Sequence, residues 1–450
     1  MMNADSSIAI AHDRFIAIAH DRFAEAGTPL GGVRLPWLES LRRDALERFR
    51  RTGFPTTKVE AWKFTNLAPL ARTDFVEAIA QGVADIATAV VDGYRLTPDC
   101  HLAVFVDGRF QPALSDLGRL PAGTRVVSLS QADEADLRLV TAPPAVDDAP
   151  SARALVEFNT ALMQDGVVVH LGRGAVLDPV QLLFLTRPGA APRVAHVRNL
   201  LVAEAGSSAT VVETHVGLGR GVYWTNAVTQ VVVASNAVLR HYKLQAEDEA
   251  AFHTAATSVR LQRNSAYRAF MLSLGARLAR NELDVLLAGE DGEARLAGAT
   301  LARGDQHLDT TLRVEHATAR ASSDQDFRNV VDGRAHAVFQ GRIRVAPDAQ
   351  KTDARQINRS LLLSPAAVAD SKPELEILAD DVRCSHGATV GDLDKDVLFY
   401  LRARGLDEAE ARATLIDAFV GELLDGIEGE PAQAYLRRAF ADWTRKGARP

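Results

Sequence analysis

Between Gly166 and Asp392 the chain repeats one small plan, and that repetition limits the fold more than any other feature. Short Val/Leu/Ile runs recur at Val167–Leu171, Leu182–Leu185, Leu200–Val202, Val231–Val233, Val285–Leu287 and Ile343–Val345, with no helical pattern between them. Turn-forming residues fall at Gly206, Asn236, Asn264, Asp291-Gly292, Ser322, Asp348 and Asp381, roughly 26–33 residues apart. Strands at a loose fixed period, with small residues between them, suit a β-helix of stacked coils. A β-sandwich shows the same strands, and periodicity alone leaves both open. In a β-helix each coil buries its apolar face only against its neighbours, so the open ends need covers.

The flanking regions supply candidates. Pro36–Arg51 reads as a helix with Leu38, Leu41, Leu46 and Phe49 on one stripe and arginines late in the run, stopped by Gly53 and Pro55. Lys58–Leu67 interleaves Trp62, Phe64 and Leu67 with lysines, and is expected to anchor the N-terminal helices on the core. Short strands and turns follow from Leu102 to Leu129, then a Pro- and Asp-rich linker at Thr141–Pro150 and a helix at Ser151–Met163. After Asp394, Val397, Leu398 and Leu401 share a helical face, and Gly405 fits the left-handed position just past its end. Asp407 and Glu410 form a variant capping box for a second helix, whose stripe is Ala411, Leu415, Phe419, Val420, Leu423 and Leu424. A third helix over Pro431–Lys446 carries Tyr435, Leu436, Phe440 and Trp443. The expected class is mainly β: a mixed N-terminal region over 1–165, a β-helix core over 166–392 and a helical domain over 393–450. The N-terminal helices and the C-terminal bundle are expected to cover the β-helix ends.

Ile8–Phe15 is repeated without change as Ile16–Phe23. Eight residues do not match the helical period, so two copies shift the apolar face by about 80°. Tandem duplication is the simplest cause, and it discounts His12 and His20 as metal ligands.

Composition excludes several functions. A net charge of −7 argues against nucleic-acid or anionic-membrane partners. No apolar run reaches the roughly 18–20 residues of a membrane span, and no signal peptide is apparent, so the expected location is the cytoplasm. Cys100 and Cys384, the only two thiols, are too few for a disulfide framework. No Gly-Lys pair occurs, so the phosphate-cradling lysine loop is missing and ATP hydrolysis must belong to a partner. No Gly-x-Ser-x-Gly or His-Glu-x-x-His occurs either. His215, His241, His253, His307, His316 and His336 are scattered through the core and are assigned to no site.

The stretch from Lys372 to Thr389 carries the remaining chemistry. Leu375 and Ile377 alternate with Glu374 and Glu376, as on a strand with one buried face. Asp380-Asp381 reads as a turn, since adjacent strand carboxylates would point to opposite faces. Val382, Cys384 and His386 then fall on one side of a second strand, and Gly387 is expected to end its pairing. Cys384 and His386 suit iron and iron–sulfur ligation, but two ligands do not close a site that needs three or four. Cys384 as a small buried hydrophobe and His386 as a turn residue is the competing reading.

Leu375-Glu-Ile377 through Asp381-Val-Arg-Cys-Ser-His-Gly-Ala-Thr389 resembles the SufB/SufD family of iron–sulfur cluster assembly scaffolds, as does Phe399-Tyr-Leu-Arg-Ala-Arg-Gly405. Cys-Ser-His-Gly-Ala-Thr is of the SufD form. Lys58-Val-Glu-Ala-Trp-Lys-Phe-Thr-Asn-Leu67, Val338-Phe-Gln-Gly341 and Ala349-Gln-Lys-Thr352 are similar to further family motifs, so the likeness runs from about Pro36 to about Leu424. The resemblance implies a β-helix core and a non-catalytic scaffold subunit. Its partners would be a SufB-like subunit and a SufC-type ATPase, with a homodimer as a further possibility. It implies a transient iron–sulfur cluster built at the subunit interface near His386 and Cys384, with the other ligands from the partner and no cofactor stably bound by the isolated chain. ATPase docking would fall on Tyr400, Arg402, Arg404, Gly405, Leu415 and Phe419. Two alternatives stand beside this. One is a β-helical carbohydrate-active enzyme, against which the 6% aromatic content weighs. The other is a SufB-like sulfur acceptor, against which the lack of a third cysteine weighs.

Overall fold

A computed structural model describes residues 35–78, 86–140 and 153–447. The duplicated octapeptide and the Thr141–Pro150 linker lie outside them. Four early strands, β1 (Val76–Glu77), β2 (His101–Val106), β3 (Arg109–Phe110) and β4 (Arg125–Ser128), precede the solenoid. One sheet then takes β5 (Val167–Leu171), β7 (Arg193–Ala203), β9 (Tyr223–Val233), β11 (Phe252–Leu261), β13 (Leu278–Leu287), β15 (His307–His316), β17 (His336–Val345) and β19 (Val368–Ile377). The facing sheet takes β6 (Val176–Thr186), β8 (Ser208–Gly217), β10 (Val238–Ala246), β12 (Ala266–Ser273), β14 (Glu293–Ala302), β16 (Ser322–Val331), β18 (Asp353–Leu362) and β20 (Arg383–Asp392).

Successive strands within each sheet are parallel, so the chain crosses from sheet to sheet and climbs one coil per pair. In the first sheet Val197, Ala227, Ala255, Asn281, Thr310, Phe339 and Ser371 stack in register, steps of 26–32 residues. Parallel stacking of this kind is a β-helix and not a sandwich of hairpins. At four of the turn positions read from the sequence, Gly206, Asn236, Asn264 and Asp291, the backbone is left-handed, with φ between 52° and 73°. Gly, Asn and Asp visit that region at least cost, which is why they mark the corners.

The lumen between the sheets is packed by residues such as Leu182, Val231, Leu239, Val259, Leu312 and Phe339. The helical blocks, however, do not close the coil ends as expected. The helices Glu408–Asp425 and Glu430–Gly447 lie along the outer face of the second sheet. There Ile416, Val420, Leu424, Leu436 and Phe440 pack with the strand residues Val212, Tyr242, Leu244, Phe270 and Leu272. The outer side of those strands is apolar, so it needs a cover more than the end does. The helices Pro36–Thr52 and Ala154–Leu162 cover the outer face of the first sheet, where Phe158 stacks on Trp224 at 5.9 Å.

Lys58–Leu67 is the anchor the sequence predicts. Trp62 is buried beneath the Arg280 guanidinium at 3.9 Å, and Arg280 also donates to the Ala61 carbonyl at 2.7 Å. Thr65 Oγ1 donates to Asp309 Oδ2. At the N-terminal end both sheets are extended by the strands before the solenoid. β2 pairs with β6 and carries the antiparallel β3, while β4 pairs antiparallel with β5. At the other end β19 and β20 are outermost, with no strand beyond them among the described residues.

Candidate functional site

The C-terminal coil is where the sequence-predicted residues converge. β20 pairs with β18 so that Ala354 faces Cys384, Gln356 faces His386 and Ser360 faces Val390. On β18 the buried Ala354, Gln356, Asn358 and Ser360 alternate with the exposed Asp353 and Arg355, so their column lines the lumen. Cys384 and His386 therefore share the lumen-facing side, as their spacing predicts. Gly387 does not end the pairing: it sits mid-strand opposite Ile357, and β20 continues to Asp392. Asp380-Asp381 is a turn, with the Asp381 N–H donating to Gln350 Oε1 at 2.9 Å.

Because no coil follows, this lumen face is open. His386 is exposed, while Cys384 is half-buried against the small cluster that includes Ala354 and Ala349. Burial, with the Asp353 carboxylate beside it, raises the Cys384 thiol pKa, so the sulfur rests as a thiol until a metal or base takes its proton. Among the described residues no group of three or more His, Cys, Asp or Glu is placed to hold a metal ion. Four apolar side chains, Val368, Ile377, Leu378 and Val390, are exposed along this end, the last at 49%, among polar ones such as Glu374, Arg383 and Ser385.

The docking candidates divide in two. The helix Lys395–Ala403 is capped by Asp394 and buries none of its residues. Phe399 is 73% exposed, Tyr400 is exposed, and Arg404 lies over the Tyr400 ring at 4.9 Å. Gly405 closes the helix at φ +102°, a conformation that favours glycine, and Arg402 lies 3.6 Å from Glu408. Leu415 and Phe419 are half-buried on the next helix, and Phe419 packs toward the sheet with Arg328 over its ring at 5.7 Å. Ile416, outside the predicted stripe, is the buried residue there.

Sequence reasoning missed a polar cluster inside the lumen. His215 Nε2 lies 2.6 Å from Glu213 Oε1, and His241 Nε2 lies 3.2 Å from Glu213 Oε2. Lys243 Nζ bonds His253 Nε2 and Asn281 Oδ1, both at 3.0 Å, and His253 Nδ1 sits 2.6 Å from Glu247 in poor hydrogen-bond alignment. Burial works to raise the Glu213 carboxyl pKa, but Lys243 and the two histidines outweigh it and hold it well below the usual range. Burial lowers Lys243 and takes His253 down to about 4. His241-Tyr-Lys-Leu-Gln245 alternates as a strand should. Its polar side reads as the solvent face, yet the polar side is the inner one and the apolar side is roofed by helices. His307 and His336 also meet, with ring centroids 4.7 Å apart, and His307 bonds Thr65 of the anchor.

The comparison with known proteins agrees with this architecture. Residues 185–419 match the family described as SUF system FeS cluster assembly, SufBD core domain, and residues 20–182 match the SufBD protein N-terminal region. An iron–sulfur cluster assembly SufBD family protein of Synechocystis is 33% identical over 415 residues, covering 90% of each chain. The iron–sulfur cluster assembly protein SufD of Escherichia coli is 33% identical over 407 residues, 90% of this chain and 92% of its own. Protein ABCI7, chloroplastic, of Arabidopsis thaliana is 32% identical over 397 residues, 86% and 82% of the two chains. With both halves of the chain matched and these relatives alike along nearly their whole length, the chain belongs to the SufBD family of iron–sulfur cluster assembly proteins.

Proposed function

We propose that the chain is a non-catalytic scaffold subunit in the cytoplasm, on which an iron–sulfur cluster is built as cargo and passed on. It pairs through its open C-terminal coil with a SufB-like subunit, and His386, with or without Cys384, supplies part of the cluster's ligand set. The observation that carries this is the terminal strand itself: a lumen-facing column with an exposed imidazole and a thiol, on a sheet edge that is unpaired among the described residues and that exposes Val390. An unpaired edge is a template for a second chain, and two soft ligands need a partner's to complete a site. A SufC-type ATPase docks on the exposed helix Lys395–Ala403 and the turn after it, which supplies ATP hydrolysis to a chain that lacks a phosphate loop. No helix of the described residues is long and apolar enough to cross a membrane.

The test is iron and sulfide content of the complex reconstituted from all three subunits. His386→Ala abolishes or sharply lowers cluster formation while assembly survives, because an exposed side chain contributes little to packing. Cys384→Ser is milder if the thiol only packs, and comparable if it ligates. Normal cluster content in an intact His386→Ala complex would sink the ligand role.

A further inference from the structure

Gln356, one coil below His386, is fully buried, and its carboxamide is half used. Its Nε2–H donates to Gln325 Oε1 in the preceding coil at 2.6 Å, while its own Oε1 is buried and, among the described residues, has no partner. Gln325 Nε2 in turn points to Ser323 Oγ at 3.5 Å, and Ser323 Oγ lies 2.9 Å from His316 Nε2. The one amide bond between coils here runs from Gln356 in the later coil to Gln325 in the earlier one, and Gln325 passes it on to Ser323 along its own strand. A Cβ on Gly341 would meet all three terminal atoms of the Gln356 side chain, Oε1 at 2.7 Å. The amide thus reaches across the lumen to the opposite strand, which only a glycine there permits. The next member of the column, in register with Gln356, is His386. Neighbouring strands are about 4.8 Å apart, within reach of a side-chain hydrogen bond.

We propose that Gln356 is the positioning residue of His386: its Oε1 accepts one ring N–H, fixing the tautomer and turning the other nitrogen's lone pair toward the subunit interface. A ligating histidine commonly has its second nitrogen held in this way, and the partner atom decides which nitrogen is free for the metal. The ladder of bonds from Ser323 through Gln325 to Gln356 ends on an acceptor that no group meets in the structure; the His386 ring, turned inward from its exposed position, brings the donor that fills it. The ligand half of the proposal rests on the reading of His386 given above; the hydrogen bond does not.

The experiment uses the full chain with ring-¹⁵N histidine at pH 7.5, and then the same variants in the reconstituted complex. An imidazole N–H open to water exchanges too fast to give a proton signal, whereas one held by a buried oxygen is protected. The wild type is expected to show a protected ring N–H that disappears in His386→Ala. It should disappear as well in Gln356→Met, which keeps the side-chain length without the amide. In the complex, Gln356→Met should weaken cluster retention by about 10–100-fold, the usual effect of removing such a partner. A wild type with no protected N–H from His386 overturns the proposal whatever the variants do, and so does a signal that persists in folded Gln356→Met. If the signal behaves as expected but His386→Ala holds a normal cluster, the ladder stands and the ligand role falls. If His386→Ala loses the cluster and no protected N–H exists, the ligand role stands and the ladder falls.

Discussion

His316 gives the sharpest stability test. It is fully buried at the corner between β15 and β16, and its one side-chain hydrogen bond is to Ser323. Burial takes its pKa from 6.5 to about 4. The unfolded chain therefore binds a proton from pH 6.5 downward that the native chain refuses until about pH 4. Since the unfolded state holds more protons across that window, stability falls as pH falls through it. That pKa difference corresponds to roughly 3 kcal/mol in full, and about 2 kcal/mol of it is lost by pH 5. His253 and His307, each also lowered to about 4 mainly by burial, act with the same sign, so the wild type alone does not isolate His316. His316→Gln keeps an acceptor for Ser323 and removes the titration. Hydrogen exchange on peptides from β15 and β16 reads the opening of these coils separately from the rest of the solenoid. Comparing wild type with variant at one pH cancels the intrinsic exchange rate. The wild-type to variant protection ratio should drop about 30-fold between pH 7.5 and pH 5, the equivalent of about 2 kcal/mol. A ratio constant within about threefold would show that His316 is not held neutral by burial.

Charge reversal of Arg402 and Arg404 together should weaken retention of the ATPase in pull-downs with no change in thermal unfolding of the chain alone; full ATPase stoichiometry would put docking elsewhere. Lys243→Met should destabilise the chain by roughly 3–5 kcal/mol in thermal unfolding, because Glu213 is left buried without its cation, and adding Glu213→Gln should recover part of that loss. Val390→Lys, on the exposed edge strand, should abolish pairing through the terminal coil, read as sedimentation of the mixed subunits, at no cost to the fold; undiminished pairing would move the interface off β20.

The coil period was legible because the corners need left-handed residues, and Asn236, Asn264 and Asp291 announce them in the sequence. Strand extent was not. Ser322–Val331 and Asp353–Leu362 escape a search for apolar runs because much of their lumen side is Gln325, Asn329, Gln356 and Asn358, each hydrogen-bonded to another amide, to Ser360 or to backbone. The helical stripes were legible, but not the surface that receives them: amphipathicity says that a face is buried and is silent on where. At the site, the two-residue spacing put Cys384 and His386 on one face correctly. Gly387 misled, since with no contact within 4 Å of a Cβ position it simply continues the ladder. Nothing in the local sequence ties Gln356 to His386, because only the coil register brings residues so far apart in the chain together.

The two ends of the solenoid differ in kind. At the start, the sheets finish in β4 of four residues and β3 of two, both antiparallel to their neighbours, too short to template another chain. At the finish, two parallel ten-residue strands end bare. If chains pair by that terminus, joining two consumes both bare edges, and among the described residues no further one remains for a third. Association through the coil axis thus stops at a pair, whether the second chain is identical or merely homologous. A particle built in that way would have a single seam, so any chemistry confined to the seam would be performed once per particle.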